Sequence, residues 1–101
     1  MEQDRRARLE QEWLHLTRAA LPDAARGAGW SICEDHCFQR VLLDNACGGV
    51  WYDHIADRPA YRHATDDILL SAVTLGRAAL DGRASIDRLN RQSLKWRGKR
   101  V

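Results

Sequence analysis

The sequence predicts an all-α protein, a single small domain of about four helices around one core. Three observations carry that expectation. Apolar residues recur at steps of three and four along most of the chain. Strict alternation of apolar and polar residues, the mark of a strand, never extends beyond about four positions, with Gly29 to Cys33 the nearest approach. Capping residues and glycines fall where such helices would begin and end. At 101 residues the chain is large enough to bury one core and too small for two, so residues 1–101 are expected to form one domain.

The first helix is expected over roughly residues 3 to 21. Leu9, Trp13, Leu16 and Ala20 mark its stripe, widened by Leu14, Thr17 and Leu21, while Pro22 and the Gly27–Gly29 pair should end it. A second helix should run from a capping Asp35 to the stop at Gly48–Gly49. Phe38, Val41, Leu42 and Asn45 share one side of it, and His36, Arg40, Leu43 and Cys47 the other, with Asp44 at the edge. Apolar residues on both sides predict a central helix. His36, Arg40 and Asp44 would then be partly buried and in need of partners, and Arg40 with Asp44 at i+4 is one available pair.

The third helix begins at a capping Thr65, with Asp66 and Asp67 at the positive end of its dipole. Ile68, Leu69, Ala72, Val73, Gly76, Ala79 and Leu80 make its apolar face, and Gly82 stops it. Ser85 caps the fourth, placing Ile86, Leu89, Ser93 and Trp96 on one side and Arg88, Arg91, Lys95 and Lys99 roughly on the other. Leu42, Leu69, Val73 and Leu89 are the expected core.

Composition bounds the function classes. No window has the apolar length of a membrane span, and the N-terminus is too charged for a secretory signal. Three cysteines, an odd number, fit free thiols in a reducing cytoplasm. Net charge is +2, unevenly spread: residues 83–101 carry seven Lys/Arg against Asp87 alone, and residues 31–81 carry four Arg against eight Asp/Glu. Either the acidic middle and basic end neutralise each other, or the basic end seeks an anionic partner.

Chemistry-bearing residues crowd into residues 31–64. All three cysteines lie there (Cys33, Cys37, Cys47), with His36, His54, His63, Phe38 and both tyrosines, Tyr52 and Tyr61. Cys33 with His36 or Cys37 could bring two metal ligands together, and His54 or His63 could complete a zinc set. A structural zinc site shows two short paired motifs, however, and only one is present, so no cofactor is expected. Cys37 in a first helical turn would have a dipole-lowered pKa, with His36, His54 or His63 as base, but no nucleophile motif accompanies it. No phosphate-binding glycine loop or βαβ pattern supports a nucleotide cofactor.

The last segment, Asn90 to Arg100, joins a basic stripe to an aromatic. Arg and Lys there would neutralise phosphates, and Trp96 would stack on a base or, being on the side of Leu89, anchor the helix to the core. His36-Cys37-Phe38-Gln39-Arg40-Val41-Leu42-Leu43-Asp44-Asn45, Trp51-Tyr52-Asp53-His54, Arg58-Pro59-Ala60-Tyr61 and residues 89–99 resemble segments of short uncharacterised bacterial proteins, some labelled GNAT-type acetyltransferases. The chain has neither that family's glycine-rich pyrophosphate loop nor its strands, and the resemblance assigns no catalytic residue.

The reading that follows is a cytoplasmic helical binding protein for an anionic partner: nucleic acid, a phosphorylated metabolite or an acidic protein surface. Its site is expected where helix two meets the loop from Trp51 to His63. The candidates there are His36, Arg40, Asp44, Trp51, Tyr52, His54, Arg58 and Tyr61, with Arg91, Lys95, Trp96, Arg97 and Lys99 beside them. The alternative is a metal-binding or small enzymatic module using His36, Cys37, His54 and His63.

Overall fold

Helix accounts for 74% of the described residues and no strand occurs among them, which makes the protein all-α. The structure, a computed structural model, describes residues 2–98; Lys99 therefore lies outside the described residues. Gly29 to Cys33, the nearest approach to a strand pattern, is an irregular connection.

The N-terminal helix does not end at Pro22. Helix α1 (Gln3–His15) passes through a π-helical turn (Leu16–Ala20) into α2 (Leu21–Ala28). The Leu21 N–H reaches back five residues to the Leu16 carbonyl. Proline has no N–H to donate and its ring crowds the preceding turn. A widened π turn followed by Pro22 in the first turn of α2 accommodates both features, so the chain continues helically. It also runs through Gly27 and stops at Gly29, whose φ of 67° is the left-handed conformation that glycine adopts without a Cβ clash.

Helix α3 (Asp35–Cys47) starts with Glu34, not Asp35, at its N-cap, and Gly48 (φ 72°) closes it. The Asp35 carboxylate instead accepts the His36 N–H at 2.7 Å. A single 3-10 turn (Trp51–Asp53) and a four-residue helix α4 (Ala60–His63), entered through a cis Arg58–Pro59 peptide, lead to α5 (Asp66–Leu80). Thr65 caps α5 by accepting the Ile68 N–H, and Ser85 caps α6 (Ile86–Trp96) by accepting the Arg88 N–H, both at 3.2 Å.

Helix α3 packs against both α5 and α6, and α1 with the π turn covers α5. Both sides of α3 are therefore used: Phe38, Val41, Leu42 and Leu43 are buried, and so is Asp44. Leu69, Ala72, Val73, Gly76 and Ala79 form the inner face of α5, whereas Leu80, at the end of that stripe, is exposed. Leu42, Leu69 and Val73 are core; Leu89 is only half-buried, because Asn90 and Ser93 turn toward α3 instead. Trp30 meets Phe38 edge-on, with ring centroids 6.0 Å apart. A radius of gyration of 12.8 Å matches the roughly 13 Å of a folded chain of about 100 residues. Among the described residues no helix is long and apolar enough to cross a membrane.

Candidate functional site

One face of α3 presents His36, Gln39, Arg40 and Leu43, spaced at the helical repeat. Opposite them stand Trp51 from the 3-10 turn and the run Arg58, Pro59, Ala60. Between the two walls lies a half-open cleft of about 310 Å³.

The loop wall is held from behind. The Trp51 N–H donates to Asp44 Oδ1 at 2.9 Å, and Ile55 is buried in the core. Arg6 of α1 fastens the far end: its guanidinium donates to the Tyr61 and Ala64 carbonyls at 2.8 and 2.7 Å and pairs with Asp66 at 2.7 Å and Glu10 at 2.9 Å. Nothing in the sequence pattern of α1 singled Arg6 out, since a surface arginine at the start of a helix is ordinarily a solvated group.

Arg40 is the pivot of the helical wall. Its Nη1 donates to Ser93 Oγ and its Nη2 to Asn90 Oδ1, each at 2.8 Å. Both acceptors are neutral. The Arg58 guanidinium lies over the Trp51 ring, 5.0 Å from its centroid, in cation–π geometry. Among the described residues no carboxylate forms an ion pair with Arg40 or Arg58. Gln39 is fixed too, donating to the buried Thr17 hydroxyl at 3.1 Å.

The expected Arg40–Asp44 pair does not form. Asp44 is fully buried behind the cleft, where Arg97 donates to both its oxygens (Nε to Oδ2, 2.7 Å; Nη2 to Oδ1, 3.0 Å) and Ser93 Oγ donates at 2.6 Å. A buried carboxylate takes the partner that supplies most charge-assisted bonds, and a bidentate arginine reaching in from α6 outcompetes one already engaged with Ser93 and Asn90. Arg97 is thereby withdrawn from the basic end, and the hydrogen bond to Asp44 raises its pKa further. The network continues: Asn90 Nδ2 donates to Ser31 Oγ at 3.3 Å, and Ser31 donates to Asp87 through its hydroxyl (2.7 Å) and backbone N–H (2.9 Å). Those two bonds, the backbone one first, hold the Asp87 carboxyl below its usual range. No buried side-chain nitrogen or oxygen among the described residues lacks a partner.

The remaining candidates are dispersed. His36 is not partly buried as expected: it is 71% exposed at the cleft mouth, its Nδ1 3.5 Å from both Glu34 and Asp35. Tyr52 is exposed; its ring meets Trp51 edge-on (5.6 Å) and lies under Arg97 (5.3 Å). His54 and His63 are exposed, and half-buried Tyr61 lies beneath Arg62; none of these lines the cleft. Arg91 and Lys95 are exposed on α6, and Trp96 is more than a third exposed, outside the core it was expected to anchor. Gln39, Asn90 and Ser93 are the polar partners the sequence reading passed over. The signal for Ser93 was present, since a serine among apolar residues on a helix face must find a partner.

The zinc candidates do not converge. Cys33 is exposed and Cys37 half-buried, both free thiols, and among the described residues no three His, Cys, Asp or Glu side chains are gathered closely enough to hold a metal. Burial, and secondarily the Asp44 charge, raises the Cys47 thiol pKa, the opposite of activation. Comparison with known proteins returned no matching family model, no matching curated protein and no matching solved structure.

Proposed function

We propose that the protein binds a small anionic molecule in the cleft between α3 and the loop from Trp51 to Ala60. One observation carries this reading: two guanidiniums, Arg40 and Arg58, flank the same cleft without an ion-pair partner among the described residues. Arg40 is also pre-oriented by Ser93 and Asn90, so little side-chain entropy remains to be lost on binding. Leu43, Trp51, Pro59 and Ala60 add apolar wall, the mixture of apolar lining and few polar groups that small-molecule sites have. The three free thiols fit a reducing cytoplasmic setting.

The test is a titration with benzoate and with inorganic phosphate, followed by tryptophan fluorescence and by calorimetry. A saturable response that Arg40→Met abolishes, in a variant that retains its helical circular dichroism, is the expected result. No saturable response to either anion overturns the reading.

A second reading, contact with nucleic acid, rests on a different surface. Arg88, Arg91 and Lys95 are exposed along α6 and form no ion pair among the described residues. Lys99, the fourth member of that stripe, lies outside the described residues. This contact would be electrostatic and independent of base sequence, since no helix pair suited to groove reading accompanies it.

A further inference from the structure

We infer that the ligand of the cleft is a phosphate monoester: one terminal phosphate on a small apolar or planar group. This rests on the anion-binding reading above and narrows it by counting charges and donors.

The two cleft guanidiniums come from opposite walls, Arg40 from α3 and Arg58 from the loop. A ligand lying between them removes water from both. A carboxylate brings one negative charge and leaves one guanidinium covered without a counter-charge, which costs affinity. A phosphate monoester carries about two negative charges above its second pKa of about 6, and three acceptor oxygens. It neutralises both cations at once. Donors match as well. Each guanidinium has five N–H groups. Arg40 commits one to Ser93 and one to Asn90, and the Arg58 side chain commits none to oxygens of the described residues. The His36 ring stands beside Arg40 on the α3 wall, as does Gln39, whose amide already donates to Thr17.

The surroundings set the rest of the molecule. Glu34 and Asp35 flank His36 at 3.5 Å, and Asp57 precedes Arg58 and accepts its backbone N–H at 3.0 Å; all three are exposed. Charges interact over roughly 10 Å at 0.1 M salt, and these carboxylates neighbour the lining residues His36 and Arg58. They repel the further phosphates of a polyanion but tolerate a single phosphate drawn inside. A volume of about 310 Å³ sits at the lower end of small-molecule pockets, and Trp51, Pro59, Leu43 and Ala60 offer apolar contact to one ring or short chain.

Phenyl phosphate, phenyl sulfate and benzoate isolate the variables, because the first two share shape and differ by one charge. Calorimetric titrations of the full chain at pH 7.5 and 0.1 M salt are expected to give phenyl phosphate an affinity about tenfold above the other two, the effect of one added charge-assisted contact. Arg58→Gln, an exposed position, is expected to reduce phenyl phosphate to the level of phenyl sulfate. A single-stranded oligothymidylate is expected not to displace it. If the three ligands bind alike, the monoester inference falls while the anion cleft stands. If none binds, both fall. Displacement by the oligonucleotide overturns the exclusion of polyanions and with it the inference.

Discussion

Arg97 grips both carboxylate oxygens of Asp44 across 53 residues of chain, Nε at 2.7 Å and Nη2 at 3.0 Å. The carboxylate has no solvent exposure and the arginine little. The same carboxylate accepts the Trp51 N–H and the Ser93 hydroxyl, so one buried charge ties α6 to α3 and to the wall of the cleft. Ser93 Oγ, donating to Asp44, in turn accepts from Arg40.

Arg97→Met is expected to destabilise the protein by about 3–5 kcal/mol, because it leaves a buried carboxylate without its cation. Replacing Asp44 by Leu in the same chain should recover only part of that loss, since it removes the buried charge but leaves the Trp51 N–H and the Ser93 hydroxyl without their acceptor. Urea unfolding of parent, single and double variants measures both effects. An Arg97→Met midpoint equal to the parent's would remove Asp44–Arg97 as the fastening between α6 and α3.

Gly76→Ala tests the contact between α5 and the π turn. Alanine in a helix interior ordinarily gains about 0.5–1 kcal/mol over glycine. A Cβ at Gly76 would stand 2.3 Å from Leu16 Cδ2 and 3.2 Å from Leu42 Cδ1, both in the core, so overpacking of about 1–3 kcal/mol should win. The variant is expected to melt below the parent. A higher melting temperature would mean that Leu16 repacks freely.

Acid should loosen the junctions that Asp66 and Asp87 make. Hydrogen bonding from Arg6 lowers the Asp66 pKa, and bonds from Ser31 lower that of Asp87. A carboxyl whose folded pKa lies below its unfolded value of about 3.9 stabilises the fold above that value, and the contribution is lost as pH falls through the folded pKa. Thermal melts should therefore drop below about pH 4, and the drop should be shallower in Arg6→Gln and, to a smaller degree because the residue-31 backbone N–H still donates to Asp87, in Ser31→Ala. Parallel curves for parent and both variants between pH 5 and 2 would contradict this account.

Reversing Arg91 and Lys95 to Glu decides the second functional reading. Both residues are exposed, so stability should change by no more than about 0.5 kcal/mol. If α6 contacts phosphates, an electrophoretic shift with an oligonucleotide at low salt should weaken in the variant, and the salt dependence of binding should flatten as fewer counterions are released. Failure of the parent to shift the oligonucleotide even at low salt ends that reading. The cleft is unaffected by either result.

Much of the scaffold was legible because its determinants are local. Thr65 and Ser85 cap α5 and α6 as expected, Gly48 closes α3, and the inner face of α5 follows the apolar repeat, because a cap needs only a side-chain oxygen and an N–H three residues on. Apolar residues on both sides of α3 identified the central helix for the same reason. Pro22 misled, since what a proline does to a helix depends on whether the preceding turn can widen, and residues 16–20 do widen.

The sequence by itself thus determined an all-α scaffold and the centrality of α3. Of the eight residues expected where that helix meets the loop, His36, Arg40, Trp51 and Arg58 line one cleft and the other four do not. Only the tertiary structure decided how that region is wired. Spacing made Arg40 the natural partner of Asp44, but an i,i+4 pair on a helix surface is worth only about 0.2–0.5 kcal/mol. Burying Asp44 between α3 and α6 raised the stakes to those of a desolvated charge, and the bidentate Arg97 met them. Arg40 was left to the neutral Ser93 and Asn90, and it lines the cleft without a carboxylate partner among the described residues. Such choices depend on which side chains share a dry space, and residues 53 positions apart come to share one only when the helices pack.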